Sequence, residues 1–149
     1  EAMQLFFEDY LDHLETLHGE LHKALAATPE ERLDWSPAPD VNSIAVLVAH
    51  VAGAERFWAA DVIREQGTDR VRQQEFETQG LTAAELAQGL DDALAAVREA
   101  VAGLDESDLT RVVTEPVRGR EFTIGWCLLH ALEHTAVHTG HAQLMVQTS

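Results

Sequence analysis

The stretch TIGWCLLHALEHTAVHTGHAQLM, residues 123–145, decides how the rest of the chain is read. Thr123 can cap a helix, and no proline interrupts the residues after it. Of the eight histidines in the chain, His130, His134, His138 and His141 lie here. At about 100° per residue they fall within an arc of roughly 80° that also holds Cys127 and Met145. This arc is expected to be the inward stripe of a long helix. Imidazoles on such a stripe need hydrogen-bond partners, a cavity or a metal ion.

Working outward, three more helical patterns precede it. Phe7, Tyr10, Leu11, Leu14, Leu17, Leu21 and Leu25 recur at spacings of three and four, which predicts an amphipathic helix from Met3 to Ala27. Thr28-Pro29-Glu30-Glu31 suits a short helical turn carrying Leu33 and Trp35, and Ser36-Pro37-Ala38-Pro39-Asp40 stops it. Ser43 caps a second helix from Ile44 to about Glu65, whose wide apolar face, including Leu47, Val51, Phe57, Trp58 and Val62, predicts a central position. After a polar connection from Gly67 to Gly80, Thr82-Ala83-Ala84-Glu85 is a capping-box pattern opening a third helix to about Leu104. Between Asp105 and Phe122 the pattern turns irregular, and Val112, Val113, Pro116 and Gly119 permit a short hairpin. With no strand series and no internal repeat, these patterns predict an all-α four-helix bundle, one domain over residues 1–149. Long connections mean that a simple up-down-up-down order is not required.

Composition narrows the function. At 149 residues, 46% hydrophobic and 24% charged, the chain is long enough for one packed core and unlike a disordered tail. Its single cysteine, Cys127, excludes a disulfide framework. With 26 acidic against 10 basic side chains the formal charge is −16, a field that repels phosphate backbones and anionic lipid, so no nucleic-acid and no membrane partner is expected. No apolar run approaches the twenty or so residues that span a bilayer, and Glu1-Ala2-Met3-Gln4 lacks a basic leader pattern; the reading is cytoplasmic.

The i, i+4 spacing of His134 and His138 stacks two imidazoles one turn apart, where both can reach one cation. His50 shares a stripe with Leu47, Ala54 and Phe57 and is expected to face the same core. Three neutral imidazoles around a divalent ion leave a coordination position open, as catalytic sites do. The plainer alternative is that the three are polar core residues bonded to backbone or to each other. His18 is near the core, His22 at the edge of its helix face, and His13 on the surface; His130 and His141 are neighbours of the pair rather than ligands. A di-iron carboxylate bundle needs two Glu-x-x-His motifs and two further glutamates, and only Glu15-Thr-Leu-His18 matches. Cys127, about two turns from His134, is expected to pack rather than ligate. Gly140 offers either close helix approach or room for a substrate.

Asn42-Ser43-Ile44-Ala45-Val46-Leu47-Val48-Ala49-His50, continuing to Trp58, resembles the second-helix signature of the DinB/YfiT-like superfamily. Thr123-Ile124-Gly125-Trp126 with the run from Leu128 to His141 is similar to that family's fourth-helix motif, and Trp35-Ser36-Pro37 resembles it too. The resemblance implies a four-helix bundle whose metal takes His50 from the second helix and His134 and His138 from the fourth. His141 stands where glutamine is frequent. Relatives of the mycothiol-dependent maleylpyruvate isomerase type are similar around Thr135-Ala136 and Gly140-His141 but carry glutamate where His134 stands, which points to an all-histidine site here.

The residues themselves argue only for a metal with an open position; the resemblance implies a metal-dependent thiol S-transferase acting on a low-molecular-weight thiol and an electrophilic substrate, with His141, His18 and His130 around the ligands. Two other classes remain open: a hydrolase using a metal-bound water, and a non-enzymatic, stress-associated metal-binding bundle. Zinc is preferred, with nickel, iron and manganese compatible with imidazole ligands. Relatives often pair, so a homodimer is expected.

Overall fold

The computed structural model describes residues 3–148; Glu1 and Ala2, read above for a leader, lie outside them. Helix α1, Leu5–Ala26, buries Phe7, Tyr10, Leu11, Leu14, His18, Leu21 and Leu25 along the expected stripe. A 3-10 turn, Glu30–Arg32, then delivers the buried Leu33. Helix α2, Ile44–Arg56, begins where Ser43 Oγ accepts the Val46 N–H at 3.1 Å.

Beyond Arg56 the expected regular helix gives way to a π turn over Phe57–Asp61, followed by the short α3, Val62–Arg64; Glu65, with φ 51°, ends it. The wider turn rotates the following side chains relative to a regular helix. Four consecutive residues, Phe57, Trp58, Ala59 and Ala60, are all buried in this turn, as Ile44 to Val48 are at the start of α2, in keeping with the central position of this element.

The polar connection from Gly67 to Gly80 contains a short helix, α4, Arg72–Phe76, packed on α2. Helix α5, Ala83–Ala102, opens with the capping box: Glu85 N–H donates to Thr82 Oγ1 at 3.1 Å and Thr82 N–H to Glu85 Oε1 at 3.3 Å. The hairpin forms from β1, Val112–Thr114, and β2, Glu121–Thr123, antiparallel with Val113 opposite Phe122. Helix α6, Ile124–Thr148, starts at Thr123, whose Oγ1 accepts the Trp126 N–H at 3.1 Å. Among the described residues no helix is long and apolar enough to cross a membrane.

Helix α2 packs on α5 and α6, and α1 packs on the same two, so α1 and α2 face one another across the bundle diagonal. The long connections permit this order. Two apolar cores result, one built from Phe7 to Leu14, Phe57 to Ile63 and Ile124 to Ala131, the other from Leu21 to Leu25, Ile44 to Val51 and Ala142. Between them lies a buried polar layer. His18 Nε2–H donates to both oxygens of Glu55, at 2.7 and 3.0 Å, and Thr135 Oγ1–H donates to Glu55 Oε2 at 3.0 Å. Glu55 is 0% exposed, so these three side chains tie α1, α2 and α6 together at mid-height.

Removing one member of a buried polar pair strands the other without water. His18→Leu is expected to cost about 3–5 kcal/mol in urea unfolding, and His18→Leu with Glu55→Met to recover most of it. A double variant no more stable than the single one would contradict this role.

Candidate metal centre

His50 is buried on α2, and His134 and His138 are half-buried one turn apart on α6; each offers a donor atom within 4.8 Å of the others. The Nε2 atoms of His50 and His134 are 2.9 Å apart. Ring centroids of His134 and His138 are separated by 4.4 Å, and those of His50 and His138 by 5.2 Å. Metal–nitrogen bonds of about 2.0–2.1 Å place two imidazole donors roughly 3.3 Å apart in a tetrahedral site, within the range these rings span.

The histidine arc is not the most buried stripe of α6. That stripe runs through Leu128, Ala131, Thr135, Thr139 and Ala142. At about 100° per residue it is rotated by roughly 105° from the histidines. They occupy the flank between buried and open surface, and His141 is exposed. A flank site has protein on one side and access on the other. A cavity of about 470 Å³ opens there, bordered by His138, His141, Leu47, Val41, Leu144 and Met145.

Glu75 was not legible as a site residue. Carried by α4, it accepts the His50 Nδ1–H at 2.9 Å, and Arg70 holds it through Nε at 2.8 Å and a terminal nitrogen at 2.9 Å. Burial opposes ionisation of Glu75, but the hydrogen bonds from Arg70 and His50 outweigh it and keep its carboxyl below the usual carboxylate range. With Nδ1 protonated, His50 turns the lone pair of Nε2 towards the cluster; His134 then donates Nε2–H to it. His134 Nδ1 is left buried, with no hydrogen-bond partner among the described residues. Gly53 makes the arrangement possible, because a Cβ there would fall 1.9 Å from Glu75 Oε2.

Burial, reinforced by the neighbouring His138, His50 and His130 and by Arg70, pushes the His134 imidazolium down to about 3. Burial, then His50 and His141, pushes His138 down to about 4. Both rings are therefore neutral at physiological pH, the state a metal ligand requires. Two neutral imidazoles, a third ring with a carboxylate behind it and an unpaired buried nitrogen suit a divalent cation.

The remaining histidines separate. His141 Nδ1 lies 3.2 Å from His138 Nδ1, at the cavity edge. His130 stacks on Trp126 at 4.6 Å and meets Trp58 edge-on at 5.1 Å; its ring centroid is 6.3 Å from that of His134. Burial lowers its pKa first of all. His18 belongs to the polar layer with Glu55, His22 pairs with Asp91 at 3.0 Å, and His13 is exposed. Glu15, the acid of the lone Glu-x-x-His motif, pairs with Arg98 at 2.6 Å. Cys127 is fully buried, and burial pushes its thiol up to about 11, as suits a packing residue. A Cβ on Gly140 would meet nothing within 4 Å, so no helix among the described residues approaches closely there.

The Glu75 contact is testable without a metal. In the metal-free protein, long-range nitrogen-15 spectra are expected to show His50 as the Nδ1–H tautomer. Gly53→Ala and Glu75→Ala should each abolish that preference and cost about 1–3 kcal/mol, the penalty for a stranded buried donor. An unchanged tautomer in Gly53→Ala would show that Glu75 does not orient the ring.

Comparison with known proteins finds the fold repeated in solved structures. A conserved protein from Enterococcus faecalis superposes with a TM-score of 0.76 at 18% identity, over 98% of this chain and 97% of its own. A DinB-like protein from Bacillus subtilis gives 0.72 at 19%, over 94% and 90%. A mycothiol-dependent maleylpyruvate isomerase gives 0.66 at 15% identity; the match covers 89% of this chain and 59% of the isomerase. Comparison with curated protein sequences finds no match. The family model described as the DinB superfamily matches residues 13–142, and the chain belongs to that superfamily.

Proposed function

We propose that this protein is a metal-dependent thiol S-transferase in which His50, His134 and His138 hold one divalent cation. The observation that carries the reading is the convergence of three half-buried or buried imidazoles beside an open cavity. When bound there, a divalent cation supplies Lewis acidity and keeps a coordinated thiol as thiolate at neutral pH. Zinc is our preferred ion, since imidazole ligands and a tetrahedral site with one open position suit it. The mycothiol dependence of a structurally similar isomerase supports a thiol as co-substrate.

Within this reading the chain has three tasks. Glu75 fixes the His50 ring, as carboxylates behind metal-bound histidines do. His141, exposed at the cavity edge and next to His138, is placed to accept the thiol proton; His18, sealed in the polar layer, is not. The apolar walls formed by Val41, Leu47, Leu144 and Met145 seat the electrophile. The sulfur then forms a bond to the electrophilic carbon, the leaving group departs with its electron pair, and His141 returns the proton.

We further propose a cytoplasmic homodimer. Its support is an exposed apolar line on α6, with Trp126 40%, Leu129 62% and Val137 51% exposed.

The test is turnover. Untagged protein supplied with zinc, cysteine as thiol and 1-chloro-2,4-dinitrobenzene as electrophile is expected to form thioether above the uncatalysed rate. His134→Ala should lower that excess by at least about a hundredfold, the scale of losing a metal-activated nucleophile. Hydrolysis of ester substrates without thiol, and no thioether with any of a panel of thiols and electrophiles, would replace transfer with the hydrolytic reading.

A further inference from the structure

The chain spends its few cations unevenly. It has 10 basic side chains against 26 acidic ones, yet Arg70, Arg72, Arg118 and Arg120 line a single pocket of about 320 Å³ between the hairpin turn and α4. The pocket floor is apolar and aromatic, formed by the buried Phe57 and Trp58 of the π turn.

Two of the four arginines are already occupied. Arg70 is held by Glu75, and Arg120 Nε donates to Glu115 Oε1 at 3.3 Å. Glu115, although it lines the pocket and is 1% exposed, is consumed locally: it also accepts the backbone N–H groups of Val117, Arg118 and Arg120. This carboxylate shapes the turn that presents Arg118 and Arg120. Arg72 and Arg118 make no ion pair among the described residues; Arg72 only covers the Phe76 ring, at 4.7 Å. Two uncompensated guanidinium groups thus face an aromatic floor in a protein of charge −16. Guanidinium forks bind carboxylate and phosphate oxygens in pairs, and an aromatic floor accepts a flat apolar body.

We propose that this pocket binds a small organic anion, an aromatic or similarly flat molecule carrying a carboxylate or phosphate. The pocket adjoins the histidine cluster through Arg70, Glu75 and His50 in sequence. Its use in anchoring one co-substrate rests on the thiol-transfer reading; its occupancy by an anion does not.

The test uses the full, untagged, metal-free chain, so that no cation offers the anion a second site. Phenyl phosphate, benzoate, inorganic phosphate and neutral benzyl alcohol are titrated by calorimetry and by tryptophan fluorescence. Phenyl phosphate or benzoate is expected to saturate the protein at one site, more weakly as salt rises; whichever binds tighter assigns phosphate or carboxylate. Arg72→Ala and Arg118→Ala, both surface changes, should each weaken binding about tenfold while leaving the thermal midpoint in place. No saturable binding, binding by both variants as tight as by the wild type, or benzyl alcohol binding as tightly as the anions would overturn the proposal. Absence of thiol turnover with these titrations intact would remove the transfer reading alone.

Discussion

Three imidazoles can share one small volume only if no two of them are charged. Two imidazolium rings with Nε2 atoms 2.9 Å apart would repel strongly in a half-buried setting, and burial alone already disfavours charge there. The arrangement around His50 answers this constraint. Glu75 takes the Nδ1 proton, His134 supplies one proton across the Nε2 pair, and one His134 nitrogen is left with its lone pair free. Such a cluster is a poor arrangement for three polar rings on a half-buried flank, because it leaves hydrogen-bonding capacity unused. A cation held there would take up free ring lone pairs.

The scaffold holds these rings by a second polar device, separate from the first. His18, Glu55 and Thr135 join α1, α2 and α6 between two apolar cores, so the helices that carry the cluster are fixed in height as well as in contact. Thr135 is the immediate neighbour of His134, and Glu55 follows His50 by little more than one turn. Because α1 and α2 lie on the diagonal, the pair between them spans the middle of the bundle rather than one seam. The π turn after Glu55 then buries Phe57 and Trp58 together and builds the aromatic floor beside Arg70.

Much of this was legible in the sequence, for reasons that differ by residue. Ser43, Thr82 and Thr123 marked helix starts because capping is a local rule, and the hairpin showed in the valines and the glycine around it. His50, His134 and His138 stood out because helical spacing brings distant positions to one face. Glu55 left a trace that was there to read: it falls on the stripe of Val51, Trp58 and Val62, and a charge on a buried stripe needs a partner. Glu75 left none. It lies in a polar connection, and only the tertiary placement of α4 brings it to His50. The burial of α6 was also misjudged, because its centre is occupied by threonines whose hydroxyls are satisfied at Glu55 and at the Thr135 carbonyl. Small polar residues can therefore take the innermost line, leaving the larger histidines on the accessible flank.

Membership of the DinB superfamily and the isomerase-like fold agree with a metal-centred bundle, while the identity of the reaction depends on what the histidines hold. The most direct measurement is elemental analysis of untagged protein, wild type beside His134→Ala and His138→Ala. The account predicts one divalent metal per chain in the wild type and its loss from both variants. Equal metal content in all three proteins would contradict it.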